Sequence, residues 1–300
     1  MKYILCQPTQ SRFKWELEVA LTNYLKVGIS LKDVILLFAG DDPSFEQYFV
    51  SKFGVESHTY PDNRDDKGYI PSVRPYLWWQ YLKEDPKRET ERYFYLDSDV
   101  IFREKVNFKK ARAKDDVWLG SDTNSYLNLD YIRGCRDGNR VLNEMARIVG
   151  VTVQSLETIN HNSVGAHWII SRPTAAYWEK VYRDSNSLYF FLAHSGSNIQ
   201  KWTAEMWSQL WNMMYFNIGP KVSDELSFSW ATDDISNWQS NKIYHNAGIT
   251  ESMSGLFFKG AYLDKTPFFD DFSFVDETKC SSIYVQAIME AKDNGNFNED

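Results

Sequence analysis

Short apolar blocks and amphipathic stretches alternate along the first third of the chain. Residues 3–6, 34–39 and 93–96 are brief runs of mostly aliphatic and aromatic side chains, with the more polar residues 56–60 a weaker strand candidate between them, and the second run, Val-Ile-Leu-Leu-Phe-Ala before Gly40, has no polar interruption. An unbroken run of that length reads as a strand covered on both faces. Between the runs, Phe13, Leu17, Ala20, Leu21, Tyr24 and Leu25 recur at helical spacing, and Phe45, Tyr48, Phe49 and Phe53 do the same ahead of Gly54. Residues 75–83 open with proline, which suits a first helical turn, and feed the run at 93–96. The alternation predicts βα units: an α/β chain with a mostly parallel central sheet flanked by helices.

Further along, residues 116–120 and 165–170 read as strands and residues 141–149 and 206–216 as helices. Residues 219–270 are loop-rich and aromatic, residues 281–292 suit a closing helix, and residues 293–300 read as a frayed tail. There is no internal repeat and no low-complexity linker.

Composition narrows the class. Of 300 residues, 43% are hydrophobic, enough for a sizeable core, and the 11 Trp and 18 Tyr exceed what a core alone requires. Surplus aromatics often line clefts that hold rings or sugars. A net charge of −8 argues against broad attraction to nucleic acid, though not against a local basic groove. Cys6, Cys135 and Cys280 are odd in number and far apart, so they form neither a disulfide framework nor a zinc-finger spacing. The opening residues have too short an apolar run for a signal-peptide core, and no segment has the length of a membrane span. Together these predict a soluble protein of the cytoplasm, in a bacterial cell or a virus-infected host cell.

The chemistry concentrates at residues 93–102, Tyr-Phe-Tyr-Leu-Asp-Ser-Asp-Val-Ile-Phe, where a strand ends in Asp97 and Asp99 around Ser98. Ligands of open α/β sheets sit beyond the carboxyl ends of strands, and two hard oxygen donors there suit a divalent cation such as Mn2+ or Mg2+. Preceded by three βα units, this pair resembles the metal motif of the GT-A glycosyltransferases, over roughly residues 1–268. The pattern is most similar to the retaining branch that includes glycogenin and the lipopolysaccharide galactosyltransferases. The resemblance implies a nucleoside-diphosphate sugar donor, UDP foremost, and transfer to a hydroxyl with retention. It also implies a nucleotide-sugar-binding half at 1–125, an acceptor-binding half at 126–270, and a C-terminal helix and tail at 271–300.

Several residues match that branch in position. His245, in Ile-Tyr-His-Asn-Ala-Gly, is implied as the third metal ligand beside Asp97 and Asp99. Gly248 and Lys265 follow as diphosphate-site residues, with Pro267 and Phe268 beyond them, although Thr266 interrupts the family's Lys-Pro pair. Arg74, at the start of the helix before the metal strand, matches a donor-sugar contact. Asn162, with Ser163 and Gly165, resembles the approach to the strand lining the sugar pocket. Asp122 falls where a sugar or acceptor contact is expected, and Glu205 and Gln209 where the helix from Thr203 would face the transferred sugar. Gln7, Thr9 and either Asp62 or Asp65 fall where the base and ribose would lie. Asp97 and Asp99 are both expected to be exposed at the strand end.

Other readings compete. A nucleotidyltransferase would show a glycine-rich basic loop after its first strand, and residues 6–15 contain no glycine. A sugar-binding module without activity would not need both aspartates and His245. The acceptor is left open between a saccharide, a lipid-linked glycan, a protein and a hydroxymethylated DNA base, as for viral DNA glycosyltransferases. Two basic stretches could meet phosphate: Lys105, Lys109, Lys110, Arg112 and Lys114, and Arg133, Arg136, Arg140 and Arg147 on or beside one helix.

Overall fold

A computed structural model describes residues 1–294. The strands are β1 (Lys2–Pro8), β2 (Val34–Ala39), β3 (Glu56–Tyr60), β4 (Arg92–Tyr95), β5 (Val100–Phe102), β6 (Val117–Asp122), β7 (Val164–Ser171), β8 (Gly219–Val222), β9 (Phe228–Trp230) and β10 (Ile243–His245). The helices are α1 (Ser11–Lys26), α2 (Pro43–Phe53), α3 (Val73–Glu84), α4 (Asn124–Leu127), α5 (Leu129–Gly134) and α6 (Gly138–Val149), then α7 (Val153–Glu157), α8 (Ala175–His194), α9 (Ala204–Tyr215), α10 (Ile235–Ser240) and α11 (Ser281–Asn294). Residues 295–300 of the expected tail lie outside the described residues, and Asp293 and Asn294 belong to α11.

Seven strands form one sheet in the order β3-β2-β1-β4-β7-β6-β8. The first four are mutually parallel, as the uninterrupted apolar runs predict, and β2 is buried along its whole length. β7 runs antiparallel to both β4 and β6, while β8 pairs parallel with β6. The β6–β7 register shifts between Gly120 and Ser121, where Ala166 on β7 takes a positive φ of 56°. One core cluster fills the face under α3, α6, α8 and α9, centred on Trp78, Trp168, Trp178, Trp207 and Trp211. The other face packs α1 and α2 on Leu5, Leu36, Phe38 and Phe94.

A second sheet, ordered β5-β10-β9, draws β9 and β10 from the stretch expected to be loop-rich and β5 from the segment after the Asp pair. β5 follows the Asp pair directly and pairs antiparallel with β10, Val100 opposite His245 and Phe102 opposite Ile243. A third core cluster joins this sheet to α1 and α11 through Trp15, Tyr244, Phe257, Tyr262 and Tyr284. Trp15 Nε1 donates to the Tyr262 carbonyl at 3.0 Å, tying the C-terminal segment to the first helix.

Candidate functional site

β4 ends at Tyr95, and the chain turns through Leu96 to Asp99 before entering β5, so both carboxylates stand at the carboxyl edge of the large sheet. β10 brings His245 back to the same place by pairing with β5, and Asn246 N–H donates to the Asp99 carbonyl at 3.1 Å. His245 Nε2 lies 3.4 Å from Asp97 Oδ2 and 3.4 Å from Asp99 Oδ1. One donor atom from each of the three residues falls within 4.8 Å of the others. Cis ligands about 2.1 Å from a shared Mg2+-sized ion are roughly 3 Å apart, so two carboxylates and one imidazole at this spacing fit a divalent cation.

The two aspartates differ in setting. The Asp97 side chain is 41% exposed and accepts a hydrogen bond from the Tyr95 hydroxyl. Asp99 is buried, contrary to the exposure expected of a strand-end residue, because residues from the C-terminal segment cover it. Burial works against its charge, yet the Lys259 ammonium and His245 outweigh that and hold its carboxyl well below the usual range. For His245, burial opposes protonation, and Asp99 followed by Asp97 reverses the balance and raises its pKa.

Lys259, which sequence reasoning overlooked, ion-pairs with Asp99 Oδ2. The structure puts this lysine at the centre in place of Lys265, which pairs with Asp270 at 2.9 Å and lies over the Tyr262 ring. The available signal was the Lys-Gly step at 259–260 within a run of aromatics that must pack. Gly248 has a φ of 78°, a left-handed conformation that favours glycine, and turns the chain against Trp230 just beyond the ligand strand. Ser98 points inward: its hydroxyl donates to Glu16 Oε2 at 2.5 Å, and Arg12 holds the other oxygen of the fully buried Glu16 at 2.6 Å. Ser98 thus anchors the Asp-Ser-Asp turn to α1.

Beneath the centre lies a buried polar layer. Arg74 on α3 and Glu205 on α9 form a bidentate pair, and the Arg74 guanidinium sits 4.7 Å from the Tyr95 ring centroid. Burial pushes the Glu205 carboxyl up to about 7 against the pull of Arg74, and Asp97 adds to the rise. Both Glu205 oxygens are engaged by Arg74, and the Glu205 N–H donates to the Tyr69 hydroxyl at 2.8 Å.

Other expected positions lie differently. The polar stripe on α9 turns into a helix seam: Ser208 Oγ donates to the Val181 carbonyl and Asn212 Nδ2 donates to Asp184 on α8. Gln209 is fully buried, its backbone carbonyl accepts the Tyr177 hydroxyl, and its side-chain amide has no hydrogen-bond partner among the described residues. Gln7 is 1% exposed and donates to the Leu37 carbonyl, a consequence of β1 lying between β2 and β4. Asn162 Oδ1 accepts Val222 N–H at 3.3 Å, holding the end of β8. Asp122 accepts two bonds from Asn124 in a local turn at the end of β6. Asp62 chelates Arg64, whose guanidinium also reaches the Tyr69 carbonyl and Ser72, so this pair organises the loop after β3. Thr9 is half-buried just past β1, its N–H bonded to the Ala39 carbonyl. Gly165 faces Met206: a Cβ there would come within 2.6 Å of the Met206 methyl.

No family profile matches the sequence. No curated protein matches it either. Among solved structures, the apo form of the bifunctional glycosyltransferase WbbM aligns over 96% of this chain with a TM-score of 0.54 at 6% identity. The chain spans about half of that protein, 49% of its length. The galactosyltransferase LgtC, solved in complex with donor and acceptor sugar analogues, aligns over 100% of this chain and 98% of its own, with a TM-score of 0.47 and 12% identity. Mouse xyloside xylosyltransferase 1, apo form, aligns over 82% and 96%, with a TM-score of 0.42 and 11% identity. The likeness to WbbM, with the sheet order and the Asp pair beyond β4, identifies the GT-A fold expected from the sequence.

Proposed function

We propose that this chain is a metal-dependent glycosyltransferase, moving a sugar from a nucleoside-diphosphate donor, UDP foremost, to a hydroxyl acceptor with retention of configuration. The carrying observation is the convergence of Asp97, Asp99 and His245 at the carboxyl edge of a GT-A sheet. A bound Mn2+ or Mg2+ supplies neutralisation of the negative charge that develops on a departing diphosphate. The chain's own part is to fix the ligands and the sugar. Ser98 and Glu16 hold the turn, and the β5–β10 ladder fixes His245 against it. Lys259 meets a diphosphate oxygen as a point charge, the part that the resemblance gave to Lys265. Arg74, locked by Glu205 and stacked over Tyr95, forms the floor beneath the donor sugar. Thr9 stands where the nucleoside would enter, and Asp122 and Asn162 flank the acceptor side.

A glycan acceptor is the favoured reading. One observation favours a second, the modified DNA base: Lys110, Arg112, Lys114 and Lys221 line a groove of about 550 Å³ at the β6–β8 edge, shared with Asp224 and with Glu225, which pairs with Lys110. The arginines around α6 support it less, since Arg133, Arg140 and Arg147 are paired with Glu157, Asp137 and Glu144. Among the described residues, no helix is long and apolar enough to cross a membrane.

The test is a panel of nucleotide sugars incubated with the protein and Mn2+, with release of nucleoside diphosphate as the readout. Release should stop in excess chelator and return with added metal, and full release in chelator overturns the reading. Acceptor trials with glycans and hydroxymethylated DNA follow, and proton coupling at the new linkage decides retention.

A further inference from the structure

His167 on β7 is fully buried, outside the set of metal-facing donors, and 5.1 Å from His245 between ring centroids. Its Nδ1 lies 2.8 Å from Ser121 Oγ. The Ser121 hydroxyl has a single proton, and it is spent on the Leu226 carbonyl at 2.8 Å. Ser121 Oγ therefore receives a hydrogen bond, His167 carries its proton on Nδ1, and its Nε2 keeps a lone pair. That Nε2 is buried with no hydrogen-bond partner among the described residues.

His245 has the complementary need. Its Nε2 faces Asp97 and Asp99 and must offer a lone pair to a cation there, which leaves the proton on Nδ1. This Nδ1, too, is buried with no hydrogen-bond partner among the described residues. An orphaned donor and an orphaned acceptor in the protein interior are each destabilising, and here they sit on two neighbouring rings. The two atoms do not bond each other directly in the structure, but with the ring centroids 5.1 Å apart a small ring rotation or one bridging water brings them together.

We propose that His167 Nε2 accepts the Nδ1 proton of His245, directly or through one buried water, making Ser121–His167 a positioning relay for the metal-ligating face of His245. The relay rests on the proposed metal site. It runs from the Leu226 carbonyl through Ser121 and His167 to His245, and fixes which His245 nitrogen meets the cation. Phe228, edge-on to His167 at 4.8 Å, and Trp230, stacked with His245 at 6.4 Å, wall the two rings off from solvent.

The experiment is a long-range proton–nitrogen spectrum of the histidine rings in the metal-free full chain, joined to Mn2+ titration by calorimetry. His167 should show its proton on Nδ1 with Nε2 accepting a hydrogen bond. His167→Leu, of similar bulk, should weaken Mn2+ binding about tenfold or more, the range for lost partners of a metal-bound histidine, with the circular dichroism unchanged. His167→Gln, which keeps an acceptor at the position of Nε2, should recover most of that loss. A proton on His167 Nε2, or equal Mn2+ affinity in His167→Leu and wild type, overturns the relay. If the wild type binds no Mn2+, the metal-dependent reading fails, and the ring spectrum of the metal-free chain still decides the relay by itself.

Discussion

Asp97 and Asp99 share a motif, but their burial separates what each does for folding. Asp97→Asn changes a half-exposed side chain, so it should cut turnover by about a hundredfold or more while leaving Tm unchanged. Asp99→Asn should cut turnover as far and also lower Tm by several degrees, because it strips the counter-charge from Lys259 and His245 in a covered site. Thermal melts of both variants check this, and equal melting temperatures would contradict it. Glu205 gives a pH signature. Its folded pKa of about 7 exceeds the ordinary 4.5, so the folded chain holds that proton more tightly than the unfolded chain. The stability it contributes is present in full below pH 4.5 and is lost as pH rises through 7, on the order of 3 kcal/mol. Wild-type Tm should therefore fall between pH 5 and 8 by more than that of Glu205→Gln, and parallel profiles would refute the assignment. The three donors that converge were legible in the sequence because a strand-end Asp-x-Asp and a late histidine are local patterns. Lys259 was not, since a lysine opening a single 3-10 turn, Lys259–Tyr262, gains its place only from the packing of Phe257 and Tyr262 around it.

At the level of elements, β1, β2 and β4 stood out as largely apolar runs between turns, the polar β3 was placed by the rhythm of its neighbours, and β2 and β3 have the expected bounds. The longest helix, α8, did not stand out. Its Tyr177, Trp178, Val181, Tyr182, Leu188 and Leu192 are buried, but Asp184 and Ser185 break the apolar stripe where it meets Asn212 and Ser208 of α9. Its one clear marker was Thr174, which caps the helix by accepting Tyr177 N–H at 3.2 Å. The small sheet escaped notice for a different reason: strands of three residues have no measurable period. α11 matters to the site through Tyr284, which packs on Tyr244 and Phe257. Tyr284→Ala should cost about 3–5 kcal/mol and expose residues 248–268 to limited proteolysis. Unchanged cleavage in that stretch would show that α11 does not brace it.

For the whole molecule, the proposed metal ligands come from distant parts of the chain, Asp97 and Asp99 after β4 and His245 on β10, so ligand binding should be felt globally. Mn2+ and UDP together should raise Tm by roughly 5 °C at a hundredfold excess over Kd, well beyond the sum of their separate effects. They should also protect residues 248–268 from protease, and strictly additive shifts would argue against a shared site. The β5–β10 ladder carries one more consequence, for the order of folding. It joins Phe102 to Ile243, and closing so long a loop is slow and entropically costly. A nascent chain emerged only as far as β8 already contains all seven strands of the main sheet but has no His245. The three-ligand centre is thus assembled last, and cation affinity reports the finished fold rather than the half that carries the Asp pair.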